Sequence, residues 1–295
     1  MRVLVPIDTT GQSVESTKKA LEALLEATEV EAIVLHVVDS SIIDTASLPG
    51  EYMDAASRKE LLVRKAEEGG RRCMEAVEGT YEKAGIKVES SLVVGYPAEE
   101  IVRAARELKA DLILMASRRS GGRLPLGSVA DKVIRAAPCP ILILTPNARV
   151  RGFKRLLVPV DGSKASMKSL DFALGLTRRF KAGATALYVV DEYAIQYSSA
   201  ISGITEYKDE LIEAYTKTGE KHLLKAQEHA SGLGFKLEGR IRVGNPPEEI
   251  LREAEEGYDL IVIGTRGRGH FGKLVLGSVT SAILGGAKVP VMVVR

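Results

Sequence analysis

The chain has 295 residues, 45% of them apolar and 27% charged, with a net charge of +2. That length allows one large domain or two ordinary ones, and the composition is that of a packed globular protein, which excludes a disordered chain. Near-balanced charge argues against a nucleic-acid groove or a membrane-seeking surface, and no apolar run approaches the ~20 residues of a membrane helix.

In chain order, "MRVLVPID" reaches Asp8 before a signal-peptide core could form, so no secretion signal is expected. Cys73 and Cys139 stand far apart without CxxC spacing, which predicts a reduced, cytoplasmic protein and neither a disulfide frame nor a zinc site. Short β-branched runs such as "RVLVP", "AIVLHVV", "LILM" and "ILIL" read as strands buried on both faces. Between the second and third strands a long helix is expected from about 52 to 84, with Leu62, Ala66, Cys73, Val77 and Tyr81 as its core stripe. Pro97 sits in the first turn of the next helix, followed by a Glu-Glu pair, as a helix start prefers. Cys139, between Pro138 and Pro140 at a strand start, reads as a small buried apolar residue.

After about residue 145 the whole series returns. "RVLVPID" (2–8) recurs as "RLLVPVD" (155–161), and "AIVLHVVD" (32–39) as "TALYVVDE" (185–192). "VVGYPAEEIVRAARE" (93–107) matches "RVGNPPEEILREAEE" (242–256), and "DLILMAS" (111–117) matches "DLIVIGT" (259–265). "LGSVADKVIRAAPCPILIL" likewise matches "LGSVTSAILGGAKVPVMVV". The chain is therefore two copies of one domain, with expected bounds 1–147 and 148–295, joined near "TPNARVRGFK". In the second copy Ser163 opens a helix whose stripe is Leu170, Ala173, Leu174 and Thr177, and Pro246 opens another. Five strands and four helices per copy, alternating, predict a parallel doubly wound α/β sheet that binds ligands beyond the carboxyl ends of its strands. His222 and His229 never pair with ligand spacing and read as surface or core fillers.

The stretch "GTRGRGHFGKLVLGS" (264–278) superficially matches three nucleotide motifs, and its position excludes all three. A dinucleotide GxGxxG belongs after the first strand, where this chain has "VDGSKAS" instead. A P-loop needs Ser or Thr after its lysine, whereas Leu274 follows Lys273. An HxGH box would need histidine where Gly267 stands. A fourth spacing fits better: Gly264 ends a strand, Gly267 follows, and Gly277-Ser278 opens a helix. Glycines admit close backbone approach, the helix start offers free N–H groups, and Ser278, Thr280, Arg266, Arg268 and Lys273 suit a phosphate. On spacing alone a second reading stands beside it, a glycine-rich turn whose Ser278 caps a helix. Asp161 is equally open, either as a ligand to a nucleoside or as a cap on the next helix.

The pattern Gly264-x2-Gly267-x9-Gly277-Ser278, together with "VPVDGS", "VGNPPEEI" and a terminal "VPVMVV", resembles the universal stress protein family in its ATP-binding branch. The resemblance runs once through each copy. It implies two tandem Rossmann-like (flavodoxin-like) domains, each with strand order 3-2-1-4-5, paired within one chain and open to further homodimerisation. It also implies ATP, with or without Mg²⁺, in the second copy. Pro159, Val160 and Asp161 would meet the adenine and ribose, and Val189 would pack on the base. Gly264, Arg266, Gly267, Gly277, Ser278, Val279 and Thr280 would hold the ribose and phosphates.

The first copy departs from the pattern. Its loop is two residues shorter, with Ala116 for the first glycine, Arg119 for the second and Ala130 for Thr280. One competent site, in the second copy, is the expectation. A nucleotide-dependent regulatory protein of the stress response is the leading function. No residue set marks strong catalysis, so at most feeble ATP hydrolysis is expected. An adenylating enzyme should carry SGGxDS where this chain has "DGSKAS" and "DTTGQS", and a scaffold without nucleotide is the third reading. Tyr193, Tyr197 and Tyr207 are expected on a partner or packing surface, with a lid over the nucleotide as the alternative.

Overall fold

Alternating strands and helices fill both copies, as the β-branched runs dictate. The computed structural model describes residues 1–8, 11–41, 55–117, 126–202, 207–265 and 276–295. These fall into two compact units that divide within the strand at 141–144: residues 1–117 with 127–142, and residue 126 with 143–295. The first runs β1 (Arg2–Ile7), α1 (Gly11–Leu25), β2 (Glu31–Asp39), α2 (Ala55–Lys83), β3 (Val88–Gly95), α3 (Pro97–Glu107), β4 (Leu112–Ala116), α4 (Ser128–Ala136) and β5 (Ile141–Leu144). The second runs β6 (Arg155–Pro159), α5 (Lys164–Phe180), β7 (Gly183–Asp191), α6 (Glu192–Ser202), α7 (Lys208–Gly232), β8 (Leu237–Gly244), α8 (Pro246–Glu255), β9 (Leu260–Gly264), α9 (Ser278–Gly286) and β10 (Val291–Val294). Among the described residues the second copy thus has five helices where four were expected, the extra one being α6.

Strand order is β3-β2-β1-β4-β5 in the first unit and β8-β7-β6-β9-β10 in the second, a 3-2-1-4-5 sheet in each. The central strands carry the core: Val3, Leu4, Val5, Leu156, Leu157, Val158, Leu260, Ile261 and Val262 have no exposed surface. In the second unit β6 pairs in parallel with β7 on one side (Pro159 opposite Leu187) and with β9 on the other (Leu157 opposite Ile261). Chain order reverses between β6 and β9. The two strand ends diverge there, leaving a crevice beyond their carboxyl termini.

Local chemistry sets the helix starts. Ser163 caps α5, its hydroxyl accepting from the Ser166 N–H at 3.2 Å. Gly162 holds φ at 80°, a left-handed turn that brings the chain from β6 into α5. Asn245 caps α8, and Pro246 takes the first-turn position. The stripe Leu170, Ala173, Leu174 and Thr177 is buried as its period predicts. In α2 the buried line is Gly70, Met74, Val77 and Tyr81, and Cys73 stands beside it, half-buried. The expected stripe is shifted there because Gly70, which has no side chain to mark it as apolar, is buried against the sheet. A Cβ at Gly70 would meet Leu92 Cδ1 at 2.5 Å, and one at Gly219 of α7 would meet Tyr188 Cδ1 at 2.5 Å. Both long helices use a glycine to sit down on the sheet, α2 against β3 and β2 and α7 against β7.

Candidate functional site

The crevice of the second unit holds a cavity of about 650 Å³, within the ~300–1,000 Å³ usual for small-ligand sites. Pro159, Val160 and Asp161 line it from the end of β6, Val189 and Asp191 from β7, and Gly264 from β9. Gly277, Ser278, Val279 and Thr280 line it at the start of α9. Nine of the eleven residues singled out in the sequence therefore meet in one cavity. Arg266 and Gly267 lie outside the described residues, as do Arg268, His270 and Lys273.

The α9 end is built to present backbone donors. The Gly277 N–H donates to the Thr265 carbonyl at 2.9 Å, and the Thr265 N–H to the Val294 carbonyl at 3.0 Å, which ties the start of α9 to the end of β9. The helix begins at Ser278, and its first ladder bond runs from the Ser281 N–H to the Gly277 carbonyl. The N–H groups of Ser278, Val279 and Thr280 have no partner within the helix and face the cavity end of its dipole. No acidic side chain occupies this first turn. The equivalent turn of α4 holds Asp131, paired with Arg135 at 2.8 Å.

Two residues do something other than their sequence pattern suggested. The Thr280 hydroxyl donates to the Gly264 carbonyl at 2.8 Å inside the protein, tying β9 to α9. Its hydroxyl proton is thereby used, and only its N–H remains for a ligand. A Cβ on Gly264 would point at α5, 3.1 Å from Ser169 Oγ and 3.2 Å from the Ala165 carbonyl oxygen. The glycine is needed there for helix packing. Asp161 does not cap α5, which Ser163 does; one of its carboxylate oxygens accepts from the Ser163 N–H at 2.9 Å, bracing the turn before the cap, and the residue lines the cavity.

Sequence reasoning missed one whole wall. Ala194, Ile195, Ser198 and Ser199 of α6, with Leu211 and Tyr215 of α7, close the side opposite α9. Ile195 and Ser199, four apart and both buried, were the available helical signal. The conspicuous residues of α6, Tyr193 and Tyr197, stand on its outer face, 58% and 71% exposed. Among the described residues the lining carries two carboxylates, Asp161 and Asp191, and no lysine or arginine. Asp191 also caps α6, accepting from the Ala194 N–H at 2.9 Å. Among the described residues the cavity is a largely apolar chamber that also carries Asp161, Asp191 and the first-turn amides of α9.

With that geometry in hand, the family model of the universal stress proteins matches residues 1–145 and again 152–295. The chain belongs to the universal stress protein family. A universal stress protein of Mycolicibacterium smegmatis is 26% identical over 304 residues, covering 99% of this chain and 96% of that protein. The single-domain universal stress protein YxiE of Bacillus subtilis is 36% identical over 148 residues, 48% of this chain and 99% of its own. A solved universal stress protein from Archaeoglobus fulgidus shares the fold across 100% of this chain and 98% of its own, with a TM-score of 0.70 at 23% identity. This universal stress protein is thus a tandem of two family domains. Among its described residues no helix is long and apolar enough to cross a membrane.

Proposed function

We propose that this universal stress protein is a nucleotide-binding regulator of the stress response that holds one adenine nucleotide, ATP, in its second domain. The observation that carries this reading is the cavity at the carboxyl ends of β6, β7 and β9, which gathers nine pattern residues around the first-turn amides of α9, donors the helix itself does not use. Val160 and Val189 offer apolar surface for a base, and the Asp161 carboxylate accepts hydrogen bonds from ribose hydroxyls. Ser278, Val279 and Thr280 supply main-chain donors to phosphate. The cations at Arg266, Arg268 and Lys273, in the sequence between β9 and α9, offset phosphate charge. The described lining brings no cation of its own.

The first domain is proposed to hold nucleotide poorly. Ala130 replaces Thr280 and cannot tie helix to strand, and Asp131 already occupies the positive end of α4. Gly127 enters α4 at φ 79°, whereas Gly277 enters α9 at φ −63°, so the two helix starts are approached differently. Nucleotide in the second domain then acts through stability and shape. Binding to the native state alone adds about 2.7 kcal/mol at a hundredfold excess over Kd.

Calorimetric titration of the full chain with ATP tests this reading. The expected result is saturable binding that weakens at least tenfold in Ser278→Asp, which places a carboxylate in the first turn of α9. Folding is preserved, since an acidic group there complements the helix dipole. Absence of saturable binding in the unmodified chain overturns the reading.

A further inference from the structure

At the opposite end of the second domain's sheet, where strands begin, lies another cavity, of about 540 Å³. Arg155 at the start of β6, Arg178 in the last turn of α5 and Lys236 just before β8 all line it, with one carboxylate, Glu238. Gly183 and Thr185 of β7 form its inner wall. Each guanidinium is held by a ring: Arg155 lies 5.0 Å from the Tyr258 centroid and Arg178 4.8 Å from that of Phe235. Arg155 Nη1 also rests against Gly257, where a Cβ would come within 2.5 Å of it. Among the described residues none of these three cations has an ion-pair partner.

The first copy supplies the control. Arg2 stands where Arg155 does, and there Glu31 neutralises it at 3.1 Å. The counterpart of Glu31 is Gly183, and the counterpart of Arg178 is Leu25. The second copy has therefore lost the carboxylate and gained a cation at the same place in the fold. Cations near the end of α5 complement its dipole, which accounts for Arg178 and Arg179 in the last turn. It does not account for the missing glutamate or for two guanidinium groups set over rings around one hollow.

We propose that this hollow, formed by Arg155, Arg178, Lys236 and the start of β7, binds an oxyanion carrying two or more negative charges, of the phosphate class. Planar guanidinium forks match phosphate oxygens two at a time; the ring beneath each group, and the Glu256 carbonyl that accepts from Arg155 Nη1 at 3.5 Å, hold both near the hollow before a ligand arrives. Three cations against Glu238 leave a local excess that one carboxylate ligand would not balance. The Thr185 side chain, on the inner wall, adds a hydroxyl donor. The site lies at the other end of the sheet from the nucleotide cavity, so the two ligands do not compete for residues.

The test is a pyrophosphate titration of the full chain at low ionic strength, followed by two-dimensional amide spectra and calorimetry, with inorganic phosphate as the second probe. Saturable shifts are expected at Gly183, Thr185, Phe235 and Lys236, fading as salt is raised. Gly183→Glu restores the first copy's carboxylate at a position where a Cβ meets open space, and Arg178→Leu restores its apolar residue. Each is expected to weaken pyrophosphate at least tenfold while ATP affinity stays within twofold, which also reports that the variants are folded. No saturable shift at those amides overturns the proposal, and so does an unchanged affinity in both variants.

Discussion

Replacing Thr280 by valine keeps the side-chain shape and removes a single hydroxyl, the one that donates to the Gly264 carbonyl at 2.8 Å. Thr280 is 3% exposed, so water does not take the hydroxyl's place. A buried carbonyl deprived of its donor costs about 1–3 kcal/mol. Taking the middle of that range, about 2 kcal/mol, and crediting the added methyl with up to about 0.8 kcal/mol of apolar burial leaves a net loss of about 1–2 kcal/mol. For a unit of this size that lowers Tm by about 2–8 °C. Differential scanning calorimetry measures it, with ATP titration alongside. The Thr280 N–H survives in the variant, so nucleotide affinity should fall less than fivefold even as stability drops. A Tm within 1 °C of the unmodified chain refutes the claim that this hydroxyl ties β9 to α9.

Glycine placement separates two outcomes in thermal unfolding. Gly219→Ala drives a Cβ against Tyr188 and should cost about 1–3 kcal/mol, weakening nucleotide binding because Tyr188 lines the cavity. Gly175→Ala, in α5 with nothing within 4 Å, should stabilise by about 0.5–1 kcal/mol. Glu253 is fully buried and bonded to Arg240 at 2.8 Å and to Arg242. Its first-copy counterpart is Ala104. Because Glu256 still pairs with both arginines, Glu253→Ala should cost only about 1–2 kcal/mol by denaturant titration. Burial pushes the Cys139 thiol up to about 11. Its alkylation rate in the native chain should therefore keep rising with pH beyond 9, where an ordinary thiol levels off. The same shift removes stability as pH rises from about 8.5 toward 11, since the unfolded thiol ionises first.

The strand runs, the duplication and the order of elements were readable because a parallel sheet buried on both faces writes itself as near-continuous β-branched sequence. The gathering of Pro159, Val160, Val189, Gly264 and the α9 start was readable for a related reason: each sits at a strand or helix end, and topology brings those ends together. Less was readable where one residue serves two neighbours. Gly264 looked like room for an anion, and the structure uses it as room for α5. Thr280 looked like a ligand donor, and its hydroxyl is spent on a main-chain carbonyl. Helix α6 escaped notice because its buried line is only Ile195 and Ser199, while its conspicuous residues, Tyr193 and Tyr197, face solvent. Arg155 looks like any strand-end cation in its own copy; that it lacks a carboxylate partner like the Glu31 of Arg2 is legible only between the copies.

Native mass spectrometry of the full chain with excess ATP tests the central claim most directly, because it counts nucleotides per molecule. The account predicts a mass increase of one nucleotide, lost in Ser278→Asp. A chain that stays bare, or one that carries two nucleotides, contradicts it.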